Sequence, residues 1–392
     1  MSTKIYITGY GAIAALGNNV AEIKASLFAE KTGIHQGEKP YSEKYKVGEI
    51  RFSNAELIKR FDLKNDASRT ALLGMVAAKE AFENHVLHPD IRTGLISGTS
   101  VGGMDVSEKE YLKFLNGEVD NKEVYRNHPS GTTTQQIAAS LGIDAYFNTI
   151  STACSSATNA IMMGARLIQS GQLDRVIVGG TDGLSQFTIA GFNSLMIFDE
   201  EWCRPFDETR KGLNLGEGAG FIVLEGENSL SKTAKTPLAL VSGWSNACDA
   251  YHQTASSPDG SGAVLSMTEA LSVAGLQASQ IDYVNAHGTA TPNNDLSESH
   301  ALIRVFGEQV PPFSSTKSYT GHTLAASGGI EAIISILSIQ EGILFPNLNF
   351  STSIAETNLT PIQTVTKAPV KHVLSNAFGF GGNNSTLIFS KI

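Results

Sequence analysis

The segment "KIYITGYG" at residues 4–11 has a counterpart in "LALVSGWS" at 238–245: a β-rich run, a small hydroxyl residue, glycine and an aromatic. Two further pairs keep the same order. "HPDIRTGLISGTS" (88–100) is echoed by "ASQIDYVNAHGTA" (278–290), and "AIMMGARLIQSGQ" (160–172) by "AIISILSIQEGIL" (332–344). Three echoes in register argue for an internal duplication, and so long an interval excludes a solenoid repeat. The 392 residues therefore read as two related halves, 1–231 and 232–392, joined in the polar, proline-terminated segment "EGENSLSKTAKTP" (225–237). A chain of this length exceeds the ~250–300 residues at which single cores stop growing.

Within each half, β-rich runs alternate with helical periodicity. "RVIVGG" (175–180), "AGFIVLEG" (219–226), "ALVSGW" (239–244) and "HVLSNAFGF" (372–380) are the clearest strands, and "ASRTALLGMVAAKEAF" (67–82) and "GAVLSMTEALSVAG" (262–275) the clearest helices. Such alternation predicts an α/β protein with sheets sandwiched by helices. The amino terminus mimics a dinucleotide site, because "GYGAIA" satisfies G-x-G-x-x-A behind a predicted strand. The match weakens where "ALGNN" intervenes before the next helix, which leaves no helix opening on the glycines to hold a pyrophosphate.

Bulk properties narrow the function. A net charge of −9 argues against nucleic acid or an anionic membrane as main partner. No apolar segment reads as approaching the ~18–20 residues of a membrane span, and the interrupted run after Lys4 reads as strand and turn rather than a secretion signal. The three cysteines, Cys154, Cys203 and Cys248, are an odd number without close spacing, so a disulfide framework or zinc ribbon is not expected and a reducing cytoplasm is. His85 and His88 lack a third ligand nearby and are expected to be structural.

Cys154 stands apart from its fellows. It lies among small residues in "ISTACSSATNAIMM", just before a helix, where unpaired N–H groups and the helix dipole are expected to lower a thiol's pKa and make it a nucleophile. Its place is matched in the second half by "HTLAASGG" (322–329), so the duplication would bring His322 toward Cys154. His287, closing "IDYVNAHGTA", sits in a similar small-residue loop.

Taken together, "TACSSA", "NAHGTATPNND", "STKSYTGHTLAASGGIE" and "NAFGFGGNNS" resemble motifs of the β-ketoacyl-acyl-carrier-protein synthases, the elongating kind in particular; "RPFDETRKGLNLGEGAG" and "DAYHQT" fit the same family. The resemblance spans essentially the whole chain. It implies the thiolase fold, two βαβαβαββ halves in α-β-α-β-α layers, and the condensation of an acyl-cysteine with a decarboxylated malonyl thioester. By that resemblance Cys154 is the nucleophile, and His287 and His322 donate to the enolate. The backbone N–H groups of Cys154 and Phe380 form the oxyanion hole, with Phe380 also gating the acyl pocket beside Phe378. Lys317 and Glu331 support His322 and Cys154, while Asp295 and Glu298 hold the His287 loop and the lysine. Thr289, Thr291 and, more weakly, Thr254 suit the amides of a pantetheine arm. Arg204, Arg126 and Lys64 are expected to meet an acidic carrier, with Lys59, Arg60 and Arg69 adding to one basic cluster.

The resemblance implies no resident cofactor, since substrates arrive on the 4′-phosphopantetheine of acyl carrier protein. It also implies a homodimer, or a heterodimer with a Cys-lacking chain-length-factor-like subunit. Three departures from the family pattern are expected to surround the acyl pocket: Asn159 where a histidine is common, Asn383 in "GFGGNN" where threonine is common, and "HPSGTTT" (128–134) without the usual aromatic pair. They leave fatty-acid elongation and a dissociated polyketide or polyene pathway both open, with a lean toward the second. A thiolase or chain-initiating synthase acting on acyl-coenzyme A is the alternative; initiating synthases pair the cysteine with one histidine and one asparagine, whereas this chain offers two histidines.

Overall fold

The computed structural model describes residues 3–64, 66–119 and 125–392. The first half supplies strands β1 (Tyr6–Ala14), β2 (Thr93–Gly98), β3 (Phe147–Ile150), β4 (Arg175–Asp182) and β5 (Gly218–Glu225). The second supplies β6 (Ala239–Cys248), β7 (Tyr283–Asn285), β8 (Phe313–Ser314), β9 (His372–Gly379) and β10 (Asn383–Ser390). They lie in the order β8-β7-β9-β10-β6-β1-β5-β4-β2-β3. Read outward from the β6–β1 seam, both halves have the same permutation. Both also have the same directions: the second strand is parallel to the third and fourth, and the fifth is antiparallel to its neighbours. The duplication heard in the sequence is thus present in the topology. The seam itself is short, with Tyr6 opposite Leu240 and Ile7 opposite Ala239.

The helices that position the site are α1 (Arg69–Phe82), α2 (Ser130–Ser140), α3 (Ser156–Gln169), α4 (Gln186–Ser194), α5 (Ser261–Ala274), α6 (Pro292–Phe306) and α7 (Ser327–Glu341). α1 packs on β1, β4 and β5, and α5 on β6 and β10, so these helices form the outer layers. α3 packs on β2 and β4, α7 on β5 and β9, and the two helices touch each other in the centre. The result is the layered α-β-α-β-α arrangement of the thiolase fold.

A helix enclosed between the two halves of the sheet buries every face and is mostly apolar all round, and Ser327 to Ile339 of α7 are buried without exception. This corrects the expectation of no long apolar segment. Leu324–Glu341 runs 18 residues at a mean hydropathy of 1.2, but as the buried central helix.

The glycines of "GYGAIA" have a packing role. β1 runs straight through them, and a Cβ on Gly11 would fall 2.2 Å from the carbonyl oxygen of Ala77 in α1. They admit a close helix–strand contact, and no helix opens on them. Arg69, expected on a basic surface, is instead buried at the start of α1, where Ser68 caps the helix and turns the residue inward. Its guanidinium grips Glu217 through Nη2 (2.6 Å) and Nε (2.7 Å). His85 bonds Thr8 Oγ1 at 3.0 Å and stacks on Phe82, a structural role.

Candidate active site

β3 ends at Ile150, and the chain reverses into α3 within five residues. The turn is tight enough to place Ala153 at φ +52°, a left-handed conformation uncommon for a non-glycine residue. Ser156 Oγ braces it, accepting from Thr152 N at 2.9 Å and donating to Ala153 O at 2.6 Å. This turn presents Cys154 immediately ahead of α3. The corresponding turn of the second half presents His322 ahead of α7. Because α3 and α7 pack together, the two turns meet, and His322 Nε2 lies 3.0 Å from Cys154 Sγ. The other ring nitrogen, Nδ1, is 3.0 Å from Ser327 Oγ. A hydroxyl accepts or donates, so Ser327 supports either tautomer of His322.

His287 completes the group, its ring edge-on to His322 with centroids 5.4 Å apart. Glu298 holds its loop by accepting from His287 N (2.9 Å) and Gly288 N (2.8 Å), and Asp295 accepts from Ala290 N and Phe206 N. Neither carboxylate touches Lys317, contrary to expectation. The lysine points instead toward α7, where Glu331 pairs with its Nζ, and it donates to His287 O at 2.7 Å. From the first turns of α6, Asp295 and Glu298 are committed to the backbone N–H groups of Phe206, His287, Gly288 and Ala290.

Burial governs the protonation states. Cys154, His287 and His322 are each at most 5% exposed. Burial, with the cationic Lys317 adding to it, holds both imidazoles well below the usual histidine range, so they are neutral at pH 7. Burial also pushes the Cys154 thiol up to about 12, overturning the expectation of a lowered value. The opposing influences are weaker: the Lys317 charge, and N–H groups of Phe380 and of Cys154 itself directed at the sulfur. The helix start is there, but desolvation wins. Glu298 is raised to about 7 for the same reason.

A cavity of about 330 Å³ leads to this cluster and is lined by Cys154, His287, His322, Phe378 and Phe380 together with Thr254, Thr289 and Thr291. The structure thus assembles the expected catalytic and pantetheine residues in one place; Thr289 and Thr291 share a hydroxyl hydrogen bond of 2.8 Å. A second cavity of about 300 Å³ shares Cys154, Phe192 and Phe380 with the first and is also lined by Val101, Thr188 and Leu324. Phe192, which no sequence motif marks, stacks on Phe380 (centroids 5.7 Å, 22°), and both rings line both spaces. Asp182, also unanticipated, ends the buried strand β4 and accepts from Thr99 Oγ1, Ser100 N, Val101 N and Ala325 N, tying the second cavity's wall to the His322 loop. An acid at the end of "RVIVGGTD" was the available signal.

The departures sit elsewhere than expected. Asn159 and Asn383 line neither cavity but bond each other (Nδ2 to Oδ1, 3.0 Å) beneath the nucleophile turn. Being amides, they satisfy each other and neighbouring hydroxyls away from an apolar surface. Within this chain "HPSGTTT" lines neither cavity: Thr132 borders a separate depression of about 350 Å³ with Lys64 and Arg126. Arg126 there meets Asp66 at 3.4 Å, and Arg204 lies apart, bonded to Thr209.

A buried thiol touching a neutral imidazole, with a second imidazole and two N–H donors at hand, defines a cysteine-dependent acyl-transfer centre on a thiolase fold. The comparisons agree. The family model "Beta-ketoacyl synthase, N-terminal domain" matches residues 2–229, and "Beta-ketoacyl synthase, C-terminal domain" matches 238–351. The chain is 33% identical to 3-oxoacyl-[acyl-carrier-protein] synthase 2 of Staphylococcus aureus (strain COL), over 99% of this chain and 98% of that one. Among solved structures it resembles the ishigamide ketosynthase/chain length factor (TM-score 0.92, 28% identity, all of both chains). It also resembles the ketosynthase ApeO in complex with its chain length factor ApeC from Xenorhabdus doucetiae (TM-score 0.86, 30% identity, 100% and 98% covered). The chain belongs to the β-ketoacyl synthase family.

Proposed function

We propose that this chain is an elongating β-ketoacyl-acyl-carrier-protein synthase. The observation that carries the reading is the 3.0 Å contact of Cys154 Sγ with a neutral His322 Nε2, on a sulfur that also faces the N–H groups of Cys154 and Phe380. An acyl thioester enters from the threonine-lined cavity. As sulfur attacks, the thiol proton passes to His322, because a thiol raised by burial is not ionised beforehand. The S–C bond to Cys154 forms, the carrier's S–C bond breaks, and the proton leaves on the pantetheine thiol. Negative charge on the tetrahedral oxygen falls on the two N–H groups; losing one such donor typically costs ~10²–10³ in rate.

A malonyl thioester follows. Its carboxylate leaves as CO₂, the electron pair becomes an enolate, and the enolate oxygen is stabilised by Nε2–H of His287 and by His322 in its Nε2–H tautomer, which the Ser327 hydroxyl supports by donating to Nδ1. The enolate carbon attacks the acyl carbonyl, the Cys154 S–C bond breaks, and the released thiolate takes a proton from solvent, replacing the one that left on the first pantetheine thiol. Two histidines favour this chemistry over that of a thiolase or chain-initiating synthase. Substrates ride on carrier phosphopantetheine, and the three free thiols suit the cytoplasm.

The halves 1–231 and 232–392 serve different parts of the site, the first giving the nucleophile and the second both histidines and the glycine-rich loop. Arg204, Arg126 and Lys64 are the proposed carrier contacts. β3 lies at the sheet edge with Phe147 exposed, which supports pairing with a second chain, in a homodimer or with a Cys-lacking chain-length-factor-like subunit. The likeness to two ketosynthase/chain length factor structures favours a dissociated polyketide or polyene pathway over fatty-acid elongation. The test is intact-protein mass spectrometry with acyl- and malonyl-carrier. Wild type gains an acyl adduct and forms β-ketoacyl-carrier. Cys154→Ala gains no adduct and makes no product, yet still releases CO₂ from malonyl-carrier. Condensation by Cys154→Ala, or acylation by acetyl-coenzyme A alone, overturns the reading.

A further inference from the structure

Phe380 is the first of the three residues joining β9 to β10, a hairpin whose register places Gly379 opposite Asn383. The tip is built to yield: Gly381 and Gly382 both have positive φ (+86° and +76°). It also lies close to the nucleophile turn, since a Cβ on Gly379 would fall 2.8 Å from Thr152 O and 3.3 Å from Cys154 N. A hairpin tip that carries an oxyanion donor on two left-handed glycines needs an anchor.

Asn383, the residue straight after those glycines, supplies one. Its Oδ1 accepts from Ser155 Oγ (2.6 Å), Asn246 Nδ2 (2.7 Å) and Asn159 Nδ2 (3.0 Å). Ser155 follows the nucleophile, Asn159 is one turn into α3, and Asn246 is on β6. Asn159 is locked in turn, donating to Thr152 Oγ1 (2.8 Å) and accepting from Ser385 Oγ (2.8 Å). One carbonyl oxygen therefore ties the gate hairpin to both the nucleophile helix and the central strand. Ser155, Asn159 and Ser385 are buried, so the side of the network that faces the nucleophile helix is shielded from competing water, while Asn246 on β6 is exposed.

We propose that Asn383 is a positioning residue for acyl transfer. By latching the hairpin tip to Ser155 and Asn159, it sets the distance between the Phe380 N–H and the Cys154 sulfur, and so the geometry of the oxyanion hole. The proposal rests on the condensing-enzyme reading above. It predicts a loss confined to steps that develop an oxyanion, because the thiol and its histidine are untouched.

The experiment compares wild type, Asn383→Leu, Ser155→Ala and the double variant. Two rates are read on Cys154: acylation by octanoyl-pantetheine, which passes through an oxyanion, and alkylation by iodoacetamide, which does not. Asn383→Leu is expected to slow acylation about 10- to 100-fold, mostly in kcat, as for a displaced donor. Alkylation should stay within about twofold of wild type, and the double variant should be no slower than Asn383→Leu, as coupled partners require. Acylation within about twofold of wild type overturns the proposal, as do parallel losses in both reactions or losses that multiply in the double variant. If Asn383→Leu does not fold by circular dichroism, Asn383→Ala, which removes the accepting oxygen without adding bulk, carries the same expectations. Failure of wild type to acylate, seen before any variant is compared, refutes the condensing-enzyme reading itself.

Discussion

Lys317 Nζ lies 3.2 Å from His287 Nδ1, and its remaining partners are the carbonyl oxygen of that same histidine and Glu331. An ammonium has only hydrogens to offer, so His287 Nδ1 must accept, and the ring proton resides on Nε2. The lysine thus fixes a tautomer whose free N–H faces the cavity, and its charge keeps the ring from taking a second proton.

Removing that lysine should therefore harm catalysis and folding together. Lys317→Met strands the Glu331 carboxylate, already raised by burial, and leaving one partner of a buried pair costs about 3–5 kcal/mol. Lys317→Met/Glu331→Gln should recover most of the thermal stability without recovering malonyl decarboxylation. Recovery of both in the double variant would show that the lysine acts only as a counter-ion.

The neutral imidazoles give the pH dependence a definite sign. His287 and His322 titrate well below their unfolded value of about 6.5. The unfolded chain thus binds protons that the folded chain refuses. Their contribution to stability is present above about pH 6.5 and is lost as pH falls through the lowered folded values. Decarboxylation by Cys154→Ala should accordingly stay flat from about pH 8 to 6 and fail only on the acid side. A midpoint near 6.5 in either the melting or the rate profile would contradict burial of neutral rings.

Phe380 and Phe192 stack on each other and line both of the cavities that reach Cys154. Phe380→Ala should merge them and broaden the acyl chains accepted, read as acylation rates across a series of chain lengths. Its backbone N–H stays, so the oxyanion donor is kept and rates for the preferred chain should fall less than about tenfold. An unchanged length profile would mean that the ring is not the gate.

Arg204 is half-buried with Nε unpartnered, beside the turn that accepts from Arg210. Arg204→Glu should raise the apparent KM for carrier-bound substrate several-fold, leave kcat for a pantetheine thioester unchanged, and weaken the dependence of KM on salt. Identical KM and salt response would move the docking surface elsewhere, with the Lys64–Arg126 depression the next place to test.

The primary sequence already determined the large outline. Echoed strand and helix patterns specified a duplicated α/β chain, because period and order are local properties that survive divergence. Cys154, His287 and His322 stood out only in combination, through small-residue loops and motifs that together resemble one family, and the structure brings the three side chains together. Tertiary structure decided what depends on distance and on water. The thiol's pKa rises because the sulfur is buried where the two halves of the chain meet, which no helix start reveals. Lys317 turns to Glu331 on α7, and Arg69 sinks onto Glu217 just ahead of β5, because partners from other elements are nearer than solvent. Asn159 and Asn383 looked like pocket substitutions one at a time; only the meeting of α3 with the β9–β10 hairpin makes them a single latch.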